Sequence, residues 1–171
     1  MWGFLFLSYV YFDMNQDLVD EKMFYEIQQF RQIWIWLIIL IIVIVLYIPI
    51  ISGVLNIFLS IIFFLFGFGL IWLFYSIKLV TEVKEAGIQI IFTPFTNFII
   101  PFNEIKDFDI REYRPILEYG GWGIRFNSTG KAYTVSGKIG LQVELLNGEK
   151  ILIGTENSDK LLKSLDSLKK V

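Results

Sequence analysis

An apolar run without charges dominates the first half of the chain. No Asp, Glu, Lys or Arg occurs in residues 33–77. One helical crossing of a membrane takes about 20 residues, and this run is about twice as long. Pro49 and Gly53 lie near its middle, and both residue types commonly interrupt helices. The pattern therefore predicts a helical hairpin, with helices at residues 33–50 and 54–77 joined by a very tight turn.

The charges that flank this hairpin predict its orientation. Arg31 precedes the first helix, Lys78 and Lys84 follow the second, and the turn between the helices carries no basic residue. Because basic residues collect on the cytoplasmic side, we expect a protein of the inner (cytoplasmic) membrane that crosses it twice, with both termini in the cytoplasm. Pumps and proton-coupled transporters normally carry an ionisable group within their spans, and these spans have none. We therefore interpret the hairpin as an anchor.

The residues ahead of the hairpin have a less decisive pattern. Residues 1–12 are apolar but too short to cross a membrane. Met23, Ile27 and Trp34 recur at helical spacing, which predicts an interfacial helix that leads into the first span. Residues 1–22 have two interpretations, which both stay open. They are either an over-long gene start, with Met23 as the true first residue, or a peripheral membrane segment.

After the hairpin, the pattern changes to short β-rich runs separated by turns. In residues 140–146 apolar and polar side chains alternate, as in a strand with one buried face. Asn147 and Gly148 come next, and this pair is a strong signal for a β-hairpin. The predicted strands cover residues 79–83, 88–92, 97–102, 104–113, 122–126, 131–136, 140–146 and 149–155.

The C-terminal segment has helical periodicity instead. Leu161, Leu165 and Leu168 recur on one helical face, and Asn157 or Ser158 provides an N-cap. We therefore predict an α+β membrane protein, in which a transmembrane helical hairpin precedes an antiparallel β-barrel or sandwich of about seven strands with a C-terminal capping helix. The predicted parts are an uncertain N-terminal extension at 1–22, the interfacial helix and hairpin at 23–78, and a cytosolic domain at 79–171.

This order of elements resembles the pleckstrin-homology-like (PH-like) domains of prokaryotic membrane proteins. The passage IIPFNEIKDFDIRE looks like a recurring passage of those domains. The segments FYEIQQFRQIWIW, YGGWGIR and GKAYTVSGKIGLQVELLNGEKILIGT are similar, in the same order, to an uncharacterised family of small two-helix prokaryotic membrane proteins. This similarity covers residues 23–171 and leaves out residues 1–22. It implies a PH-like fold for the cytosolic domain, and it carries over no activity and no catalytic residue.

The overall composition excludes several classes of function. The 171 residues are 55 % hydrophobic and 19 % charged, whereas an ordinary soluble domain carries about 25 % charged residues. Cysteine and histidine are absent, which excludes thiol catalysis, disulfides and zinc sites of the usual type. The net charge of -2 offers no basic face for nucleic acid. We expect no cofactor, no metal and no enzymatic activity.

The segment YGGWGIRFNSTGK, residues 119–131, is the most distinctive candidate site. Its glycines match neither a P-loop nor a dinucleotide fingerprint, both of which need a strand followed by a helix. The favoured interpretation is a bulged, tightly curved start of a strand against which a tryptophan packs. The alternative is a recognition surface made by Trp122, Arg125, Lys131 and Tyr133.

Two other groups of charged residues are candidate sites. A set of basic residues could meet anionic lipid headgroups, but ordinary solvated surface charges are the favoured interpretation in a domain without excess charge. Asp107 and Asp109 share one face of a predicted strand, so their proximity indicates no active site. The basic residues are Lys84, Arg111, Arg114, Arg125, Lys131 and Lys138.

These patterns together predict a non-enzymatic, membrane-anchored binding or assembly module. Its PH-like domain would engage a protein partner or lipid headgroups at the cytoplasmic membrane face. The expected partners are the lipid bilayer, another membrane protein or further copies of the chain, and anionic lipid headgroups, with no nucleic acid. The alternative is an accessory subunit of a larger membrane transporter or channel complex.

Overall fold

The computed structural model describes residues 23–127 and 130–169. The strands of these residues are β1 (Phe24–Gln29), β2 (Lys78–Lys84), β3 (Gly87–Thr93), β4 (Thr96–Pro101), β5 (Ile105–Glu112), β6 (Gly123–Asn127), β7 (Gly130–Thr134), β8 (Ile139–Leu145) and β9 (Lys150–Gly154). The helices are α1 (Ile33–Ile51), α2 (Ile57–Ser76), α3 (Pro115–Tyr119) and α4 (Ser158–Lys169), and a 3-10 turn covers Phe102–Glu104.

Helices α1 and α2 form the predicted hairpin. They contain 19 and 20 residues and are long and apolar enough to cross a membrane. The Asn56 side chain caps α2 by accepting a hydrogen bond from the Leu59 backbone N–H at 3.0 Å. Tyr47 of α1 stacks on Phe64 of α2, with ring centroids 5.9 Å apart, and lies directly against Gly67. A small residue at position 67 therefore lets the two helices approach closely.

The predicted interfacial helix ahead of the hairpin is wrong, because residues 24–29 form strand β1. Phe24, Glu26 and Gln28 are buried, and Tyr25 and Ile27 between them are exposed. This alternation has the period of a strand. Strand β1 pairs antiparallel with β2 along its whole length, so pairing with a distant segment supplies the backbone hydrogen bonds that a helix would make internally.

The hairpin is therefore inserted between two neighbouring strands of one sheet. Strand β1 ends at Gln29, which pairs with Lys78, the first residue of β2. Only three residues separate β1 from α1, and Ile77 alone separates α2 from β2. Both ends of the hairpin are thus fixed to adjacent strands. The first sheet therefore combines residues from both sides of the predicted domain boundary between residues 78 and 79.

The strands form two sheets that differ in pairing. The first has the order β1-β2-β3-β4 and is antiparallel throughout. The second has the order β5-β8-β9-β7-β6 and is mixed, because β7 and β9 are parallel. The prediction of about seven antiparallel strands is corrected in two ways: β1, from ahead of the hairpin, joins the first sheet and brings the described strands to nine, and β7 and β9 are parallel. The parallel pair arises because β9 lies between β8 and β7, instead of at the edge of the sheet.

The main core lies between the two sheets and under α4. The first sheet contributes residues such as Ile88 and Ile90, the second contributes Leu141 and Val143, and α4 contributes Leu161; all five are fully buried. The C-terminal helix therefore covers the core as predicted. A smaller cluster lies on the other face of the second sheet and contains Tyr113, Tyr119, Ala132 and Leu152.

A buried carboxylate fastens β1 to the end of the domain. Glu26 accepts hydrogen bonds from the Thr155 hydroxyl at 2.6 Å and from the Glu156 backbone N–H at 2.7 Å. The Asn157 and Gln28 side-chain amides donate to the same carboxylate at 3.3 and 3.2 Å. The first described strand, β1, is thereby held to the junction of β9 and α4, which follows the last described strand in sequence.

Candidate functional site

The glycines of residues 119–131 follow a short helix that the sequence patterns did not predict. Helix α3 begins with Pro115 and ends at Tyr119, and Gly120 caps it with a φ of 70° and donates its N–H to the Ile116 carbonyl at 3.0 Å. Proline at the start and glycine just past the end are the usual signals for helix ends. With five residues, α3 is too short to show helical periodicity. The glycines therefore lie at the C-terminal end of a helix, and not at the N-terminal end that a phosphate loop requires.

Trp122 connects this segment to the hairpin. Its indole N–H donates to the Gly137 carbonyl at 3.0 Å, in the loop between β7 and β8. Its ring lies 5.9 Å from the ring of Trp34, centroid to centroid, in the first turn of α1. One half-buried side chain, just ahead of β6, thus contacts a neighbouring loop and the base of the hairpin.

A cavity of about 770 Å³ lies beside this contact, between the hairpin and the sheets. Its walls are almost entirely apolar or backbone, and Arg125 is the one charged residue among the described residues that line it. The hairpin side consists of Phe30, Trp34, Ile35, Ile38, Ile39, Ile42, Leu70, Phe74 and Ile77. The opposite side consists of Phe92, Phe95, Ile116 and residues 120–125.

Arg125 differs from the other cations of the second sheet. Its Nε donates to the Trp122 carbonyl at 3.1 Å, which holds the exposed side chain beside the glycines. No carboxylate of the described residues forms an ion pair with it. Arg111, in contrast, pairs with Glu118 at 2.9 Å, and Lys131 pairs with Glu149 at 2.8 Å. Among the cations on the described strands of the second sheet, Arg125 is therefore the one without a carboxylate partner.

The four residues of the predicted recognition surface separate into two pairs. Trp122 and Arg125 lie together at the cavity. Arg125 is paired across strands with Ala132, whereas Tyr133 projects from the opposite face into the main core and packs on Phe98 at 5.2 Å. Lys131 shares the face of Tyr133. The structure thus brings together Trp122 and Arg125, and it places Lys131 and Tyr133 elsewhere.

Local contacts also shift the pKa values of the second pair. The hydrogen bond from Lys131 to Glu149 raises the pKa of that lysine. Burial raises the pKa of Tyr133, and burial also raises the pKa of Tyr113, in the smaller cluster, to about 12. Both tyrosines therefore stay neutral over the physiological range and act as packing groups with a hydroxyl.

Two of the other candidate cations are held by carboxylates close to them in sequence. Lys84 lies 3.6 Å from Glu82 on the same strand, and Arg111 is held by Glu118 beside α3. Asp107 and Asp109 are exposed on the outer face of β5, as predicted from the strand period. In residues 23–127 and 130–169, no group of three or more acidic side chains is arranged to hold a metal ion.

The sequence patterns missed the hairpin's contribution to this site. Trp34 was interpreted as part of the helical spacing that leads into the first span, whereas in the structure it contacts Trp122 and lines the cavity. The signal in the sequence was the presence of a tryptophan on the hairpin, Trp34, and another in the glycine-rich segment, Trp122. Their contact depends on tertiary structure and could not be predicted from sequence spacing. Only the domain side of the site could be identified from local sequence.

Replacing Trp122 with alanine is expected to destabilise the protein by about 2 kcal/mol, because the change removes a half-buried ring and the hydrogen bond to Gly137. For a chain of this size, that corresponds to a fall of roughly 4–8 °C in melting temperature. Thermal unfolding of the purified full-length protein in detergent measures it. Trp72→Ala is the control, since Trp72 is 61 % exposed on α2 and does not line the cavity. Equal melting temperatures for the two variants would contradict the packing role and favour recognition.

The geometry defines a class of protein: an α+β domain into which a hairpin of two apolar helices is inserted, with a largely apolar cavity at the junction. The family of unknown function DUF6141 matches residues 8–169, and the chain belongs to that family. The match also takes in residues 8–22, which the resemblance drawn from sequence patterns had left out. No curated protein and no solved structure matches the chain.

Proposed function

We propose that this protein is a non-enzymatic binding module anchored in the cytoplasmic membrane by its hairpin. The domain is PH-like, lies on the cytoplasmic side, and binds at the face that surrounds the cavity. The observation that carries this proposal is the insertion of the hairpin between β1 and β2. A domain attached to a bilayer at both ends of the hairpin has little freedom to turn, so one face is held toward the membrane.

The exposure of the helices supports a membrane location. The greater part of both apolar helices is exposed, including Leu40, Ile44 and Phe68. Such a surface is stable in a bilayer and costly in water. Arg31 and Lys78 lie at the base of the hairpin, next to the domain, and the opposite turn has no basic residue. This asymmetry supports a cytoplasmic domain.

The arrangement of strands and helix supports the PH-like interpretation. An antiparallel sheet of four strands faces a second sheet, and one amphipathic C-terminal helix covers the core between them. The insertion of the hairpin after β1 and the parallel pairing of β7 with β9 distinguish this domain from the simple antiparallel arrangement that the sequence suggested.

Exposed apolar side chains beside the cavity support a membrane-facing binding surface. Phe95, on the turn between β3 and β4, is 56 % exposed, and Ile116 and Leu117 of α3 are 68 % and 76 % exposed. Phe95 and Ile116 both line the cavity together with residues of the hairpin. Apolar groups in this position enter the interfacial region of the bilayer and bring the domain against it.

Cysteine labelling tests the topology directly, because the chain has no cysteine of its own. Val54→Cys places a thiol at the exposed turn of the hairpin, and Lys160→Cys places one on α4. A membrane-impermeant maleimide added to intact cells is expected to label position 54 and to leave position 160 unlabelled until lysis. The reverse pattern, or labelling of both positions in intact cells, would contradict the proposal.

Co-purification of the full-length protein in mild detergent tests the type of partner. The binding-module proposal predicts that lipid, further copies of the chain or a weakly held protein is recovered. Recovery of a multi-span protein in fixed stoichiometry would instead support the alternative of an accessory subunit in a transporter or channel complex.

A further inference from the structure

We infer that the cavity at the junction binds one phospholipid drawn from the surrounding bilayer. An acyl chain lies between the hairpin and the sheets, and the phosphate lies at Arg125. This inference rests on the proposed membrane location and goes beyond it, because it assigns a ligand class and its contacts.

The size and walls of the cavity suit an acyl chain. About 770 Å³ lies within the range of roughly 300–1,000 Å³ that is usual for small-molecule sites. Ile35, Ile38 and Ile42 of α1 follow one another along one helical face and form one wall, and Phe92 and Phe95 lie on the other side. An open cavity lined by such side chains favours hydrocarbon over water.

The cavity is also continuous with the surface that would contact lipid. Ile38 and Ile42 line it and are nevertheless 48 % and 43 % exposed, on helices whose remaining surface faces the hydrocarbon of the bilayer. Trp34, at the base of α1, is 50 % exposed beside them. A chain can therefore enter sideways from the adjacent leaflet without crossing water.

Arg125 supplies the polar end of the site. Its guanidinium has no carboxylate partner among the described residues and is oriented by the hydrogen bond to the Trp122 carbonyl. A Cβ at Gly121 would lie 3.8 Å from Nη2, an ordinary contact distance, so the guanidinium lies directly beside the Gly121 backbone. A planar guanidinium binds phosphate oxygens through two parallel hydrogen bonds. The apolar walls at the base of the hairpin thus match the acyl chains of a phospholipid, and Arg125 matches its phosphate at the membrane interface.

The same charge argues against a second copy of the hairpin as the occupant. Residues 33–77 contain no acidic side chain, so another hairpin would bury the cavity walls and leave Arg125 without a counter-charge. A desolvated and unpaired charge is costly. A phospholipid satisfies both the apolar walls and the cation.

Lipid retention by the purified full-length protein tests this inference. The protein is incubated in detergent with vesicles of equal parts phosphatidylglycerol and phosphatidylcholine, repurified, and examined by native mass spectrometry. We expect about one retained phospholipid per chain. Ile38→Trp fills the cavity and is expected to reduce retention about tenfold, whereas Leu37→Trp, at a neighbouring exposed position outside the lining, leaves it unchanged.

A charge variant keeps the test decisive if Ile38→Trp does not fold. Arg125→Gln is expected to reduce retention about tenfold, and Lys160→Gln, a cation of α4 outside the cavity, is not. Retention that is unaffected by Arg125→Gln, or a retained second copy of the chain that Arg125→Gln leaves in place, overturns the inference. If retention fails while labelling at positions 54 and 160 shows the expected topology, the lipid site is wrong and the proposed function stands.

Discussion

Replacing Glu26 with alanine is expected to destabilise the domain by about 3–5 kcal/mol. The carboxylate is 6 % exposed and accepts hydrogen bonds from Thr155, Glu156, Asn157 and Gln28. Alanine leaves these donors without their acceptor in the interior, and each buried donor without a partner costs about 1–3 kcal/mol. The loss releases β1 and therefore one end of the hairpin. We expect a fall of roughly 6–20 °C in the melting temperature of the full-length protein in detergent.

Glu85→Ala is the matched control for this change. Glu85 is exposed at the turn between β2 and β3, so the same truncation there is expected to change stability by less than about 0.5 kcal/mol. The melting temperatures of the two variants are compared. A difference of no more than about 1–2 °C, which is less than a loss of 1 kcal/mol would cause, would show that β1 is not held by the carboxylate.

Replacing Gly130 with alanine is expected to disrupt the parallel pairing of β7 with β9. A Cβ at this position would lie 1.8 Å from the Lys150 carbonyl oxygen, which belongs to the backbone of β9 and cannot rotate away. The φ of 148° is also unfavourable for alanine. We expect a loss of about 4 kcal/mol or more, which is at the upper end of single substitutions. Thermal unfolding and protease resistance of the full-length protein measure the loss.

Gly148→Ala separates the steric effect from backbone strain. Gly148 has a φ of 84°, and a Cβ there would meet no heavy atom within 4 Å. Strain alone therefore costs about 1–2 kcal/mol at this position. Equal losses for the two variants would mean that the close approach of β7 and β9 contributes nothing, which would contradict the order of the second sheet.

The elements that are set by local sequence were predicted well. The apolar run between Arg31 and Lys78 identified both helices of the hairpin to within a few residues. Alternation and turn residues identified strands β2 to β9, and the leucine spacing identified α4. In each case the pattern of apolar and polar residues along the sequence indicates which side chains are buried, so tertiary contacts are not needed for the prediction.

Strand β1 could not be identified in the same way. Met23, Ile27 and Trp34 satisfy a helical spacing, and the polar residues of the buried face, Glu26 and Gln28, hide the alternation. Their burial makes sense only through Thr155 and its neighbours, which lie at the other end of the chain. The partner strand is also distant, because the whole hairpin lies between β1 and β2.

Two of the four residues of the predicted recognition surface line the cavity. Trp122 and Arg125 were identified from an unusual glycine-rich segment, and the structure places them together at the cavity. Lys131 and Tyr133 are close in sequence, but the fold places them on the other face of the sheet. The hairpin wall of the cavity depends on how α1 leaves β1, and no local pattern reports that geometry.

Disulfide formation between positions 27 and 80 tests most directly whether the hairpin interrupts a single sheet. Ile27 and Val80 are directly opposed on β1 and β2, and the chain has no other cysteine to interfere. In isolated membranes under mild oxidant, the double variant Ile27→Cys/Val80→Cys is expected to form an intramolecular disulfide, and Ile27→Cys/Lys84→Cys, four residues out of register, is not. Absence of the 27–80 disulfide, or equal disulfide formation by both variants, would contradict the pairing of β1 with β2 across the hairpin.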